Sequence, residues 1–240
     1  MRTEKIMDKV TTRSPTLTGN ALKIIALIAM TIDHIGVHLY PDVMILRIIG
    51  RLAFPIFGYM IAEGCTHTRS RARYLMHLAI TALICQTVYW FAMGSLYQCI
   101  FVTFSLSVIL IFLLDDALKN GGIAERITAV LFIAFVAVMT FVLPHLEVMG
   151  DFNIDYGFFG IIYPALVYFA KGRKAKLVAA LAGLLSVAVY YSSVQWFSLF
   201  SMPLIALYGG KRGNARLKWF FYIYYALHLV VIYYISTFVG

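Results

Sequence analysis

Charge is what this 240-residue chain has least of: 13% of its residues are Asp, Glu, Lys or Arg, about half the share of an ordinary soluble domain. Of those, 11 are acidic. With 62% hydrophobic residues and a mean hydropathy of +0.84, the deficit excludes a water-soluble globule. It leaves an all-α, polytopic bundle of transmembrane helices. Cysteine is also scarce. Cys65, Cys85 and Cys99 match neither the spacing of metal-ligand pairs nor a disulfide framework, so they read as packing residues and no metal is expected. There is no Gly-rich phosphate loop, low-complexity tract or repeat visible by eye, which speaks against nucleotide-loop and solenoid architectures.

What is present is a series of long apolar runs. Stretches close to the roughly 17–25 residues that cross a bilayer core lie at about 21–40, 45–64, 73–93, 99–115, 127–143, 157–171, 177–192, 195–209 and 217–238. They predict about nine helices, the sixth and eighth being short. Residues 1–20 have no apolar run behind Met1 and read as a polar cytoplasmic tail, not a cleavable leader. Residues 21–240 read as a single integral membrane domain. Of the 20 Lys and Arg, eighteen fall in the tail and first-helix start, "HTRSRARY", "LDDALKNGGIAER", "AKGRKAK" and "GGKRGNARLKW". All of these are on one side if nine helices alternate. The opposite loops, "YPDVM", "GSLYQ", "PHLEVMGDFNID" and "SSVQ", carry no Lys or Arg. Cytoplasmic loops retain positive charge, so the N-terminus is expected inside and the C-terminus outside. The pI near 9.5 then reflects topology and contact with the lipid bilayer, and no nucleic-acid partner is needed.

Ionisable groups inside spans cost several kcal/mol, so each needs a partner or a task. The candidates are Asp33, His34, His38, Arg47, Arg51, Glu63, His77 and His228. His77 and Glu63 lie close enough to the cytoplasmic face to pair with loop charges. Asp33 and His34 are deep: counted from Leu22, His34 is about 18 Å into a ~30 Å core. Adjacent helical residues point about 100° apart, so the two address different partners. Arg51, on the next helix, reaches a depth similar to that of Asp33 and is its expected counterion. Arg47, one turn nearer the outer surface, could extend the pair or hold an anion. An imidazole beside such a pair is a candidate general base; a packing histidine is the alternative. Lys23 precedes His34 by eleven residues, three turns plus about 20°, which places both on one face roughly 16 Å apart. A cation at the mouth and a base near the midplane suit an amphiphilic substrate with a phosphate head and a reactive tail, as in a coenzyme A thioester.

The runs "LKIIALIAMTIDHIG" (22–36), "RIIGRLAFPIFGYMIAEGCTHTRSRARYL" (47–75), "DYGFFGI" (155–161), "SLFSMPLIALYGGKRG" (198–213) and "KWFFYIYYALHLVVIYY" (218–234) resemble the TraX family. Its best-known member acetylates the N-terminus of conjugative pilin in the bacterial inner membrane. That family in turn resembles a larger superfamily of membrane acyltransferases, which use a histidine in the first conserved helix, often with a basic residue eleven positions earlier. Lys23 and His34 fit that pattern. The resemblance implies a multi-pass acetyltransferase of the inner membrane that takes acetyl-CoA as donor and an amine or hydroxyl acceptor, such as a pilin or peptide N-terminus. It implies His34 as catalytic base, with Asp33 and Arg51 as the framework that orients the base or balances its charge. Lys23, Arg47, Asp155, Tyr156, Tyr225, His228, Lys211 and Arg212 would contact the substrates. The basic loops would meet the phosphates of the donor. Two positions depart from the family pattern: Ala226 replaces a proline two residues before His228, and Gln86 and Val88 replace a glutamate and a proline. Two other classes compete. A small secondary transporter would use Asp33, His34 and Arg51 as a proton relay and predicts an internal repeat. A non-catalytic scaffold would use the same charges as interhelical glue.

Overall fold

The structure, a computed structural model, describes residues 16–213 and 217–239. Most of the polar tail expected over 1–20 therefore lies outside the described residues. Among the described residues, ten α-helices follow one another: α1 (Gly19–His38), α2 (Met44–Gly50), α3 (Ala53–His67), α4 (Arg71–Met93), α5 (Ile100–Asn120), α6 (Ile123–Phe141), α7 (Gly157–Phe169), α8 (Arg173–Tyr191), α9 (Met202–Ala206) and α10 (Lys218–Val239). Among the described residues, seven segments are long and apolar enough to cross a membrane, and two more apolar segments, Gly157–Phe169 and Ser193–Ala206, are shorter. The chain is thus an all-helical, multi-pass membrane protein whose nine apolar segments correspond to those read from the sequence.

Three of the expected helices take other forms, each for a physical reason. The single helix expected over 45–64 is broken into α2 and α3 at Arg51–Leu52. Pro55 has no N–H, and its ring collides with the carbonyl four residues back, at Arg51, so a continuous helix cannot pass. The eighth segment winds as a 3-10 helix over Ser193–Ser201 before the single turn of α9. At about 2.0 Å per residue this tighter winding carries a short segment further across the bilayer than an α-helix would. The thirteen residues of α7 reach only about 20 Å. The loop before α7 is accordingly drawn into the bundle, where Ile154 is buried.

The helix ends follow the local sequence. Thr18 caps α1 by accepting the Ala21 N–H at 3.2 Å, and Ser70 caps α4. Gly94 and Gly121 end α4 and α5 in the left-handed conformation, which costs glycine nothing. The start of α1 is further tied to the loop after α9. Leu17 donates to the Leu207 carbonyl, Gly19 to Lys211 at 2.8 Å and Asn20 to Arg212 at 2.9 Å. These bonds satisfy N–H groups that a helix start would otherwise leave open.

The core lies between α1, α3, α5, α7 and α8, where Leu22, Ala26, Ile56, Val108, Ile161, Tyr163 and Leu184 are fully buried. Tyr163 fits because Gly58 and Gly183 flank its ring; a Cβ at either would sit 2.6–2.7 Å from it. Its hydroxyl donates to the Pro55 carbonyl at 2.9 Å. Large apolar side chains face outward instead on α4 (Leu83, Phe91) and α6 (Ile127, Val130, Leu131, Phe135), as a lipid-facing surface requires.

Candidate functional site

Asp33 and His34 sit near the end of α1 opposite the basic loops, and the turn through residues 39–43 folds α2 back beside them. The pair expected between Asp33 and Arg51 is present. Arg51 Nη2 donates to both carboxylate oxygens, at 2.7 and 2.6 Å, and Arg47 Nη1 lies 2.9 Å from Oδ2. Two guanidiniums therefore clamp one largely buried carboxylate. The break at Pro55 makes the clamp possible, because Arg51 stands at the corner between two helices and its side chain projects along the gap. Gly50 opens the gap: a Cβ there would lie 2.1 Å from Asp33 Oδ1. Arg51 Nη1 reaches onward to Gln195 Oε1 at 3.2 Å.

His34 points elsewhere, as the 100° offset requires, and makes no hydrogen bond to Asp33. Its ring faces His228 on α10, with centroids 4.9 Å apart, and is flanked by His38 at 6.2 Å and Tyr225 at 6.5 Å. His228 Nδ1 lies 3.2 Å from the Tyr224 carbonyl. A carbonyl only accepts, so Nδ1 carries the proton and Nε2 holds a lone pair. Tyr224 stacks flat on His228 at 5.6 Å, and its hydroxyl is 3.0 Å from Thr31 Oγ1. Because Thr31 donates its own proton to the Leu27 carbonyl, Tyr224 is the donor in that contact. The two imidazole nitrogens left over, His34 Nδ1 and His228 Nε2, are buried without a hydrogen-bond partner. Leaving a buried polar atom unpaired costs about 1–3 kcal/mol, which makes this place a candidate functional site.

Two cavities approach this centre. The inner cavity, about 450 Å³, opens on the face of the basic loops among Asn20, Lys23, His67 and Arg212 and ends deep at Met30, Phe104 and Tyr225. Tyr225 is the side chain that touches both the cavity and the His34–His228 pair. The Lys23 ammonium lies 5.9 Å from the Phe221 ring at the mouth. Glu63, buried beside the same mouth, is neutralised by Lys176. The outer cavity, about 260 Å³, is bounded by Arg51, Tyr97, Asp155, Tyr156, Tyr191 and Gln195 among others. Phe54 stands between the two cavities, stacked on Tyr156 at 3.8 Å and on Phe104 at 6.2 Å.

The walls of the outer cavity are conformationally costly. Tyr156, Ser192 and Ser193 have φ of +57°, +51° and +51°, a region that side-chain-bearing residues rarely enter and that clusters at functional sites. Asp155 accepts the Tyr97 hydroxyl proton at 2.8 Å, and its backbone carbonyl accepts from Thr103 at 2.6 Å. Burial pushes the Asp155 carboxyl up to about 6, against the opposing pull of the Tyr97 hydrogen bond and the Arg51 charge.

Of the residues singled out from the sequence, the structure gathers Asp33, His34, Arg47, Arg51, Tyr225 and His228 at the centre. It places Lys23 and Arg212 on the inner cavity and Asp155 and Tyr156 on the outer one. Lys211 lines neither; it is exposed, and its carbonyl caps α1. Gln195 and Tyr97 were missed, since each is an ordinary residue in a loop without charge and only the fold brings them to Arg51 and Asp155. No group of three or more metal-ligating side chains occurs among the described residues, and the three cysteines are free.

The chain is similar to the probable fimbrial assembly protein FimC, serogroup H1, of Dichelobacter nodosus, at 27% identity over 88% of this chain and 92% of that protein. An uncharacterized protein of Rickettsia prowazekii (strain Madrid E) shares 63% identity over a segment of 38 residues, 16% of this chain and 15% of that one. No solved structure matches. Residues 18–236 match the family described as TraX protein, a range that runs from the cap of α1 through His34 and His228 to the last turns of α10. The chain belongs to the TraX family.

Proposed function

We propose that the protein is a membrane-embedded acetyltransferase that moves an acetyl group from acetyl-CoA to an amine or hydroxyl acceptor. The observation that carries this reading is a buried imidazole, His34, with an unpartnered nitrogen, set between Tyr225, where the inner cavity ends, and the Asp33–Arg51 pair, whose arginine bounds the outer cavity. A donor and an acceptor arriving from opposite ends need that arrangement, and a packing histidine does not.

In the proposed step the acceptor N–H or O–H gives its proton to His34 while the nitrogen or oxygen attacks the thioester carbonyl carbon. The tetrahedral adduct then collapses: the C–S bond breaks, and the departing thiolate takes the proton back from the imidazolium. The products are the acetylated acceptor and the coenzyme A thiol. His228, whose ring lies against His34 with centroids 4.9 Å apart and whose Nε2 carries a lone pair, steadies the imidazolium. Asp33 acts through charge, offsetting Arg47 and Arg51, and not by a bond to the base. Lys23 and Arg212 at the inner mouth suit the donor's phosphates, and the apolar walls deeper in suit its tail.

Basic loops retained on the cytoplasmic side put the inner cavity in contact with soluble acetyl-CoA and the outer cavity on the opposite face. The reading therefore includes a bacterial inner-membrane location, a cytoplasmic N-terminus and one integral domain over 21–240. FimC of D. nodosus is named for fimbrial assembly, and with the family resemblance this supports a pilin-like N-terminus as acceptor.

The test is thiol release from acetyl-CoA by the protein in lipid nanodiscs, wild type beside His34→Ala at matched thermal stability. Release that depends on His34 is expected. Equal release by both proteins would remove His34 as base. A folded wild type that neither binds nor turns over acetyl-CoA or longer acyl-CoA would favour a transporter built on the Asp33–Arg51 pair.

A further inference from the structure

Gln195 is 5% exposed and lines the outer cavity. Its amide orientation is fixed from outside: Arg51 can only donate, so the atom facing Arg51 Nη1 is the oxygen. The other end of the amide, Nε2, is then a buried N–H donor, and it has no partner. Across the same cavity stands Asp155, a carboxylate that can only accept once ionised, already oriented by Tyr97. The same cavity is thus lined by a donor in want of an acceptor, on Gln195, and by an acceptor, on Asp155. The loops that carry them are held at positive φ at Ser192, Ser193 and Tyr156, so the fold bears a conformational cost to hold this wall in place.

We propose that Gln195 Nε2 and Asp155 form the acceptor subsite. Asp155 accepts a hydrogen bond from one N–H of the nucleophilic amine, which leaves a second N–H for His34, and Gln195 donates to an oxygen a few bonds away on the same molecule. The ligand class is a small polar head with a nucleophile beside a hydrogen-bond-accepting oxygen, as in an α-amino group next to its own carbonyl. The inference rests on the acetyl-transfer reading for the identity of the reaction, but the recognition itself is independent of acetyl-CoA. Gln195 also links the subsite to the centre. The guanidinium it binds is the one that clamps Asp33, so an acceptor seated on Gln195 is registered against α1 through a single side chain.

The decisive comparison uses two acceptors of equal charge: an amino-acid amide, which has the neighbouring carbonyl, and a plain alkylamine of similar length, which lacks it. The variants are Gln195→Glu, which keeps an oxygen for Arg51 and loses the donor, and Gln195→Met, which loses both. The ratio of kcat/KM for the amide over the alkylamine is expected to fall about tenfold in both, in keeping with one lost hydrogen bond to a buried partner. A ratio unchanged from wild type in either folded variant overturns the proposal, since a merely structural role would slow both acceptors alike. Binding of the amino-acid amide, measured by calorimetry without acetyl-CoA, separates this outcome from failure of the enzyme reading. If the wild type binds the amide about tenfold more tightly than Gln195→Glu, the subsite stands even where no acetyl transfer is seen; equal binding removes it.

Discussion

The inner and outer cavities come to the centre from two sides and differ in chemistry: the inner one ends at Tyr225, beside His34 and His228, and the outer one at Arg51, which clamps Asp33. The inner one is long, with mostly apolar walls and cations only at its rim, so it discriminates by shape and by one charged end. The outer one is smaller and polar, and its loops sit in strained conformations. Under the proposed acetyl transfer, a site that accepts a common, soluble, anionic donor needs only a funnel. One that must choose an acceptor needs fixed hydrogen-bonding groups, and holding them inside a membrane protein costs backbone strain and unpaired polar atoms. Asp33 and its two arginines are the seam between the halves.

Breaking the seam should do the most damage. Asp33→Ala leaves two guanidiniums facing each other without a counterion, and removal of one member of a buried ion pair costs about 3–5 kcal/mol. Thermal unfolding in nanodiscs should show a large loss of stability, with both cavities' functions failing together; an unchanged melting temperature would show that the clamp is dispensable. His34→Ala should lower acetyl transfer by about 10²–10⁴-fold, the usual weight of a positioned general base, with little change in melting temperature. Gly50→Ala forces a Cβ onto Asp33 and should cost roughly 1–3 kcal/mol, as overpacking does, while leaving the residues of both cavities in place.

Two smaller effects would separate the halves. Lys23→Ala should raise the KM for acetyl-CoA about tenfold, the weight of one charge-assisted contact, without altering the KM for the acceptor. A shift in both would mean that the cavities are not independent. On the outer side, the folded protein holds the Asp155 proton up to about pH 6, whereas an unfolded chain releases it near 3.8. The fold binds more protons in that window, so this group's contribution to stability falls as pH rises from about 4 to about 6. Asp155→Asn should flatten that part of the melting-temperature profile; a slope identical to wild type would place the titration elsewhere.

The apolar runs made the helix count legible, because the length of a spanning segment is set by the bilayer and not by detail. The Asp33–Arg51 pair was legible for a related reason: charges at equal depth in consecutive spans must find each other. The break at Arg51–Leu52 was foreshadowed by Pro55 alone, and hydropathy, which averages over windows, passes straight through it. Gln195 could not be found at all. A neutral residue in an uncharged loop acquires its meaning from the guanidinium it meets 144 positions earlier in the chain, and no local pattern encodes that meeting. The His34–His228 contact is similar, for the two lie at opposite ends of the sequence and only the packing of α10 beside α1 joins them.

The clasp between the start of α1 and the loop after α9 has a consequence for the newborn chain. The helix bearing Asp33 and His34 leaves the ribosome long before Arg212, which completes its mouth, and His228, which completes its centre, are made. Until the final helix docks, the first one carries a carboxylate and an imidazole in the bilayer with half of their surroundings missing. Assembly of the chain and assembly of the site are thus a single event, and a product that stops before α10 lacks half of the site.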